Sequence, residues 1–308
     1  MMQEFQRRLK LMGNSFEITV VASDEKFAKE SIDSCITEMQ RIEKLLTTYS
    51  DDSLTNKINQ MAGISPVEVN AEIFDLIERC QRISHITDGA FDISYGSVDK
   101  RLWNFDRGMK KLPSAYTAKK SVALIDYKNI VLDAERSTVF LKYKGMRIGF
   151  GGIGKGYAAE IGKKTLQNLG VESGIVNASG DMTVWGLQAN GLPWKIGIIN
   201  PDDHLKPFSY LNLTDMAIAT SGNYEKYVII DGIKYSHTIN PNTGLPIRGI
   251  KSVTIITPNA EIADALTTPV AIMGIQGGLN LINQIADVEC IIIDDNNQIY
   301  TSNKIQLK

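Results

Sequence analysis

The sequence predicts an α+β fold in which mainly antiparallel sheets pack against helices. Strand-like segments follow one another through short turns such as Asp231-Gly232, whereas a doubly wound parallel sheet would alternate its strands with helices. Two long segments, residues 24–47 and 71–87, carry apolar side chains at the spacing of amphipathic helices. No repeat or low-complexity linker interrupts the 308 residues, so we expect a single domain over residues 1–308.

The first half of the chain contains further elements of both kinds. A strand is predicted at residues 15–21, which are rich in β-branched and aromatic side chains. Residues 130–150 have the pattern of short strands with a turn at Lys144-Gly145. A helix is predicted at residues 157–169, where apolar spacing resumes and a glycine follows.

The second half is rich in strands. They are predicted at residues 174–176, 182–187, 194–199, 210–213, 226–230, 234–237 and 252–256. The chain then continues with a helix from Glu261, a helix near residues 279–285 and a hairpin around residues 294–297.

The composition predicts a soluble globular protein without a general attraction to nucleic acid. The chain is 43% hydrophobic with a formal net charge of −2, so it can bury a large core but lacks a broad basic surface. Cys35, Cys80 and Cys290 are widely spaced and fit neither a disulfide framework nor a zinc site. No apolar run approaches the ~20 residues that span a bilayer, and the first residues lack an export signal. The chain as written is therefore expected in the cytoplasm, although a processed protein would look the same.

The segment at residues 261–268 places one carboxylate and two hydroxyls on about one turn of a predicted helix. Asp264 and Thr268 are four residues apart and share a helical face, and Thr267 lies beside them. Oxygen ligands of this kind suit Mg²⁺ better than zinc. Pro269 would also free the carbonyl four residues earlier, which then needs a new partner. The alternative is a capped helix end whose Thr hydroxyls bond back to the backbone.

A second segment, residues 149–156, holds five glycines and Lys155 directly before a predicted helix. Glycines let a ligand approach the backbone, and a helix N-terminus with a lysine favours phosphate. The segment resembles a P-loop, but Gly156 stands where a P-loop needs the Ser or Thr that holds Mg²⁺, which argues against a P-loop NTPase. The alternative is a glycine-rich turn that allows tight helix packing.

Five other segments are polar and punctuated by glycine or proline in a way that is unusual for ordinary loops. They span residues 47–53, 88–94, 177–181, 219–224 and 235–244. Each has a simpler explanation alone: the third is compatible with a plain turn, and His237 in the last is compatible with a hydrogen-bonded residue at a strand end. The number of these segments and their order along the chain are therefore more informative about function than any one segment.

Taken together and in this order, the segments resemble the ApbE-type FAD:protein FMN transferases. The resemblance runs from Met12 to Thr268 and rests on many spaced motifs. It implies an ApbE-like fold and is compatible with two lobes around a central site for FAD and a divalent metal, normally Mg²⁺. In that family the FAD pyrophosphate is split with the help of the metal, AMP leaves, and FMN is esterified to a Thr or Ser of an acceptor protein. The alternatives are hydrolysis of FAD to FMN and AMP, as in some relatives, and FAD binding without turnover.

Position by position, the resemblance implies which residues contact FAD and the metal. The implied FAD contacts are Met12, Tyr49, Ala90, Phe91, Asp92, Gly149, Lys155 and Thr238. The implied metal ligands are the Gly152 carbonyl, Asp264, Thr267 and Thr268. Many relatives have an Asp where this chain has Gly149, so a contact made there by a carboxylate is absent or replaced by backbone.

A threonine hydroxyl is a poor nucleophile near neutral pH, so a base is expected beside the acceptor. His237 is the candidate because it lies inside a motif-rich segment, and Asp264 is a second catalytic candidate through the metal. Asp181 would orient His237 or bind substrate, and the sequence leaves both roles open. The resemblance also implies acceptors among membrane redox-complex subunits, and a cell-envelope lipoprotein if an N-terminal signal has been removed.

Overall fold

Strands and helices of the fold are described for residues 1–102, 109–201, 203–222 and 227–305 of a computed structural model. The strands are β1 (Gln3–Leu11), β2 (Asn14–Ala22), β3 (Val67–Glu68), β4 (Ile130–Asp133), β5 (Thr138–Leu141), β6 (Gly174–Ala178), β7 (Asp181–Trp185), β8 (Trp194–Asn200), β9 (Asp203–Leu213), β10 (Met216–Gly222), β11 (Tyr227–Ile230), β12 (Ile233–Ser236), β13 (Ile250–Thr257), β14 (Glu289–Asp294) and β15 (Ile299–Thr301). The helices are α1 (Glu25–Leu46), α2 (Leu54–Gln60), α3 (Ala71–Ile86), α4 (Ala115–Ser121), α5 (Gly154–Asn168) and α6 (Ala260–Ile282).

An eight-stranded sheet in the order β1-β2-β6-β7-β10-β13-β14-β15 is the centre of the architecture. Every neighbouring pair in it is antiparallel, which confirms the predicted fold class. Helices α1, α5 and α6 pack on one face of the sheet. The β8–β9 hairpin covers the other face with Trp194, Ile196 and Ile198. One face therefore holds the helices that carry the site, and the other is closed by apolar packing.

The two helices predicted from apolar spacing are present and capped. Asp24 accepts the Phe27 N–H at 2.6 Å at the start of α1, and Asn70 accepts the Ile73 N–H at 3.0 Å at the start of α3. Such caps satisfy amides that lack helical partners. The apolar stripe of α1 is buried in the main core through Ala28, Ile32, Cys35, Met39, Ile42 and Leu46.

Several predicted boundaries differ from those in the structure. The β4–β5 hairpin turns at residues 134–137, so Lys144-Gly145 forms a separate turn beyond the last strand. Helix α5 begins at Gly154, three residues earlier than predicted, so the glycine-rich segment contributes its first turn. Residues 219–222 of one glycine-punctuated segment lie in β10, which pairs with β13, and the Thr220 and Thr254 hydroxyls are hydrogen-bonded across this pair at 2.9 Å. Residues 223 and 224 of the same segment, and residue 226 of a predicted strand, lie outside the described residues.

Helix α6 also differs from prediction. It continues through Pro269 to Ile282, so the helix near residues 279–285 is its second half, set off by a non-helical backbone at Gly274. Packing against α5 and the sheet offsets the hydrogen bond that Pro269 removes. By length and composition alone α6 could cross a membrane, contrary to the expectation of no such run. Its buried residues belong to the main core, as in the core helix of a globular protein.

The first turns of α5 and α6 approach each other very closely. A Cβ added to Gly156 would lie 2.1 Å from the Ala260 carbonyl oxygen and 2.6 Å from the Asp264 Cβ. A non-bonded carbon cannot occupy that space, so the approach requires glycine. The close approach agrees with the alternative that the glycine-rich segment allows tight helix packing. It also places that segment next to Asp264.

We predict that Gly156→Ala lowers the free energy of unfolding by about 3 kcal/mol, because overpacking against backbone forces the two helices apart. Gly154→Ala in the same helical turn is the matched control, since its added Cβ would meet its neighbours at an ordinary 3.6 Å. Urea unfolding followed by circular dichroism measures both variants. Equal stability of the two variants would contradict the close approach.

Candidate functional site

Asp264 lies at the contact between α5 and α6 and is 5% exposed. Asn259 caps α6 by accepting the Ile262 N–H at 3.1 Å, which starts the helix so that Asp264 faces α5. The Oδ2 atom of Asp264 accepts the Gly156 N–H at 2.9 Å, and the backbone N–H of Lys155 also donates to this carboxylate. The carboxylate thus receives two amides from the start of α5, where the helix dipole also favours negative charge.

Lys155 forms an ion pair with a second buried carboxylate, Asp181. A two-residue turn at Ser179 and Gly180, with φ of 59° and 101°, joins β6 to β7 and places Asp181 at the start of β7. Asp181 is 2% exposed and also accepts a backbone hydrogen bond from Thr220. The turn predicted at residues 177–181 is therefore present and holds the partner of Lys155.

The two carboxylates share one lysine, so full ionisation of both would leave excess negative charge in the interior. Burial and then the nearby Asp181 raise the pKa of Asp264 to about 7, against the opposing effects of Lys155 and the two amides. An added cation would offset this charge. Among the described residues, no three His, Cys, Asp or Glu side chains are grouped to hold a metal, so hydroxyl and carbonyl oxygens would have to complete such a site.

Thr267 and Thr268 lie one turn beyond Asp264 on α6. The buried Thr267 hydroxyl donates to the Asp264 carbonyl at 2.9 Å, which is the back-bonding considered as an alternative, although the helix does not end there. This bond uses the Thr267 proton and leaves lone pairs on its oxygen. Thr268 is half-buried. This turn therefore carries several oxygen atoms of the kind that a hard cation such as Mg²⁺ takes as ligands.

Residues 90–92 form a buried wall beside the glycine-rich segment. The Phe91 N–H donates to the Thr87 hydroxyl at 3.1 Å, and a Cβ on Gly152 would lie 3.8 Å from the Phe91 ring. Asp92 accepts the Ser94 N–H at 2.8 Å, and its other oxygen accepts the N–H of residue 127 at 2.7 Å. Burial raises the pKa of Asp92 although these donors oppose the rise. Phe91 is thus fixed against the loop that carries Gly152.

Gly149 lies between the segments that carry two other predicted FAD contacts, Tyr49 and Asp92. Its N–H donates to the Ile93 carbonyl at 2.9 Å, and an added Cβ would lie 3.6 Å from the Thr48 methyl group. An N–H can only donate, so an acceptor role that an Asp side chain would take at this position would be absent or would fall to a backbone carbonyl.

Met12 and Tyr49 lie on turns at the edge of this region. Met12 has a φ of 49°, and its N–H donates to a Glu43 side-chain oxygen at 2.6 Å, which fixes the β1–β2 turn on α1. Tyr49 is 99% exposed, so its ring is open to a ligand. Both residues remain predictions as flavin contacts.

His237 and Thr238 follow β12 at the start of a long loop. His237 is exposed, and the Thr238 N–H donates to the Ser236 hydroxyl at 3.1 Å. The Ile239 N–H donates to the Tyr95 hydroxyl at 3.2 Å, which ties this loop to the turn that follows Asp92. The Asp231-Gly232 hairpin turn is confirmed.

The structure brings part of the predicted site together. Lys155 and Asp264 meet at the start of α5, Phe91 lies beside Gly152, and Gly149 is bonded to Ile93 next to Asp92. Asp181 is predicted from the sequence only as an orienting or substrate group, and its pairing with Lys155 is found in the structure alone. Glu43 and Tyr95 belong to no motif, so they are recognisable only from their hydrogen-bond partners.

The overall fold is that of solved flavin transferases. An ApbE protein from Thermotoga maritima matches with a TM-score of 0.86 and 30% identity, covering 98% of this chain and 97% of that one. The flavinyl transferase ApbE of Pseudomonas stutzeri matches with a TM-score of 0.84 and 26% identity, covering 98% and 95%. These similarities show that the chain has the fold of the ApbE flavin transferases.

The ApbE family pattern matches residues 12–292, and the chain belongs to the ApbE family. A protein of Klebsiella pneumoniae (strain 342) named FAD:protein FMN transferase is 29% identical over 300 residues, which cover 97% of this chain and 92% of that protein. One of Treponema pallidum (strain Nichols) with the same name is 29% identical, covering 88% and 79%. The family resemblance read from the sequence is therefore confirmed.

We predict that Lys155→Met lowers the free energy of unfolding by about 3 kcal/mol in metal-free buffer, because it leaves buried carboxylates without their cation. The control is Lys164→Met on the exposed side of the same helix. Urea titrations of both variants measure the difference. In Lys155→Met/Asp181→Asn the loss should be smaller than the sum of the single losses, and strict additivity would contradict the ion pair.

Proposed function

We propose that this protein transfers FMN from FAD to a Thr or Ser hydroxyl of an acceptor protein, releases AMP, and requires Mg²⁺. The observation that carries the proposal is the buried Asp264 carboxylate, held by two amides of the glycine-rich helix start beside the Lys155–Asp181 pair. The relatives named above support the reaction class. On the family resemblance, the acceptor would be a subunit of a membrane redox complex, and the protein would act in the cell envelope.

The residues around Asp264 suit the splitting of a pyrophosphate. Asp264, Thr267, Thr268 and the Gly152 carbonyl would hold Mg²⁺, which when bound neutralises charge on non-bridging phosphate oxygens. Lys155 is half-buried and would add positive charge beside the phosphates. Asp181 holds the lysine side chain in place, so this charge is preorganised rather than recruited from solvent.

His237 would act on the other side of the reaction. Its exposed position suits a group that must meet a hydroxyl arriving on another protein. As a base, His237 would remove the proton of the acceptor hydroxyl while that oxygen attacks the phosphorus on the FMN side of the FAD pyrophosphate. The P–O bond to AMP breaks, and the bonding electrons leave with the AMP phosphate.

The direct test is incubation of the purified protein with FAD and Mg²⁺, with and without a Thr-containing acceptor peptide. Mass analysis should show AMP together with a peptide carrying FMN. Release of AMP and free FMN at the same rate with and without peptide would favour hydrolysis instead. FAD that binds but stays intact under both conditions would contradict an enzymatic role.

We expect Asp264→Asn to abolish metal-dependent FAD cleavage and to weaken Mg²⁺ binding, because it removes the single carboxylate assigned to the metal. The side chain keeps its shape and one oxygen for the amides at the start of α5, so the variant should fold, with a modestly lower melting temperature because two amides then share one acceptor. Calorimetric titration with Mg²⁺ and an AMP assay measure the two effects. The control is Glu261→Gln, one turn earlier and paired with Arg79. Wild-type turnover in a folded Asp264→Asn variant would refute the assignment.

We expect His237→Ala to bind FAD and Mg²⁺ normally but to lose FMN transfer by ~10²–10⁴-fold, the range for removal of a positioned base. His85→Ala, at an exposed position of α3, is the control. Single-turnover transfer and melting temperature are measured together. A purely structural histidine would give the opposite result, a lower melting temperature with near-normal transfer per folded molecule.

A further inference from the structure

Two buried asparagines on α2, which belong to no predicted motif, form several side-chain hydrogen bonds. Asn56 and Asn59 lie about one turn apart and are 5% and 6% exposed. Each uses both the nitrogen and the oxygen of its side-chain amide in hydrogen bonds. Buried amides are costly unless they are satisfied, so the partners of these two explain their presence.

Asn56 holds the loop that carries Tyr49. Its amide nitrogen donates to the Thr48 carbonyl at 2.9 Å and to the Ser50 carbonyl at 2.8 Å, on either side of Tyr49. Its amide oxygen accepts from the Arg147 guanidinium at 3.3 Å. Carbonyl oxygens can only accept and a guanidinium can only donate, so this orientation of the amide is the one that satisfies all three bonds.

Asn59 holds the segment that leads into Gly149. Its amide nitrogen donates to the Ile148 carbonyl at 3.0 Å, and its oxygen accepts the Ile148 N–H at 2.7 Å. This paired bond resembles one rung of a β-ladder. The next residue, Gly149, is held from the opposite direction by Ile93, next to the Phe91–Asp92 wall. Residues 148 and 149 are therefore fixed on both sides.

The two asparagines thus hold two neighbouring segments in one arrangement. Arg147 links Asn56 to the segment that Asn59 holds, and Thr48 lies against Gly149. Because the Tyr49 ring is 99% exposed, side-chain packing contributes little to its position. The backbone bonds on both sides of Tyr49 therefore fix the position of its Cα and the direction of its Cα–Cβ bond.

We propose that Asn56 and Asn59 are positioning residues that keep residues 48–50 and 148–149 as a preformed wall for the flavin nucleotide. The inference rests on the proposed function, because it takes Tyr49 and Gly149 to be flavin contacts. If the loop had to become ordered on binding, the apparent affinity would fall by the fraction of molecules in the competent arrangement. Preformed loops avoid that loss.

The test is FAD binding by flavin-fluorescence titration without metal, in variants of the full-length protein. Asn56→Ala and the near-isosteric Asn56→Asp both remove the donors to Thr48 and Ser50, and each should weaken FAD binding about 10-fold, as for a loop that is competent about one tenth of the time. Mg²⁺ affinity measured without FAD should change less than twofold, because the Asp264 turn is not touched. In steady-state assays KM for FAD should rise more than kcat falls.

Thr55→Val is the matched control on the same helix. The Thr55 hydroxyl is buried and donates to the Leu45 carbonyl at 3.0 Å, so its loss loosens α2 without releasing the Tyr49 loop. It should lower the melting temperature about as much as Asn56→Ala and leave FAD affinity unchanged. If Thr55→Val weakens FAD binding as much as Asn56→Ala does, the asparagine is merely structural and the proposal fails.

A double-mutant cycle gives the decisive readout. If Asn56 acts through Tyr49, Asn56→Ala should weaken FAD binding much less in a Tyr49→Ala background than in the wild type. An equal effect in both backgrounds overturns the proposal. Arg147→Met, at an exposed position, provides a variant that should fold even if Asn56→Ala does not, and its FAD affinity should fall about twofold or more, whereas wild-type affinity would count against the proposal.

These outcomes are separable from those that test FMN transfer. Wild-type protein that binds FAD but never transfers FMN would refute the proposed function and leave the positioning role open to the same titrations. Transfer by the wild type combined with unchanged FAD affinity in the Asn56 variants would refute the positioning role alone.

Discussion

The contact between the first turns of α5 and α6 is the constraint on which the candidate site depends. Gly156 leaves room for little more than a hydrogen atom, and this proximity allows its N–H to reach Asp264. The same turn directs Lys155 towards Asp181, so one helix start supplies both amides and a cation to two buried carboxylates. Glu160, one turn later, accepts the N–H of the first residue of α6 at 3.1 Å and holds the second helix in register. Close helix packing and polar contacts together therefore set the position of Asp264.

The parts of the fold that follow a regular apolar period were predictable, and the rest depend on tertiary contacts. Helices α1 and α3 carry apolar stripes and caps, so their positions follow from local sequence. Strand β1 was missed because it is an edge strand with alternating charges, and α2 because it is short and polar. Pro269 is a strong local signal for a helix end, yet α6 continues through it because both sides of the helix are buried.

The same division applies to the site. The residue types at Asp264, Thr267 and Lys155 are compatible with metal and phosphate chemistry, but each segment alone also fits a capped helix end or a glycine-rich turn, and the family resemblance decides between these interpretations. Their charge balance was not predictable, since it depends on Asp181, which is distant in the sequence and reaches Lys155 through the β6–β7 turn. Asparagines such as Asn56 have no distinctive pattern because their importance lies in which backbone groups they meet.

In the proposed reaction, two kinds of parts would suit different demands. The Asp264 and Asp181 carboxylates are buried and held by hydrogen bonds and by Lys155, which would strengthen electrostatic effects on a pyrophosphate because little water would screen the charges. Tyr49 and His237 are exposed on loops, where a bulky flavin and a second protein can reach them. Exposed side chains have few packing contacts, so hydrogen bonds to the neighbouring backbone must hold their loops in place. Asn56 forms such bonds with the Tyr49 loop, and Tyr95 forms one with the loop after His237. A site that must admit a macromolecule can thus stay open while its reacting groups remain ordered.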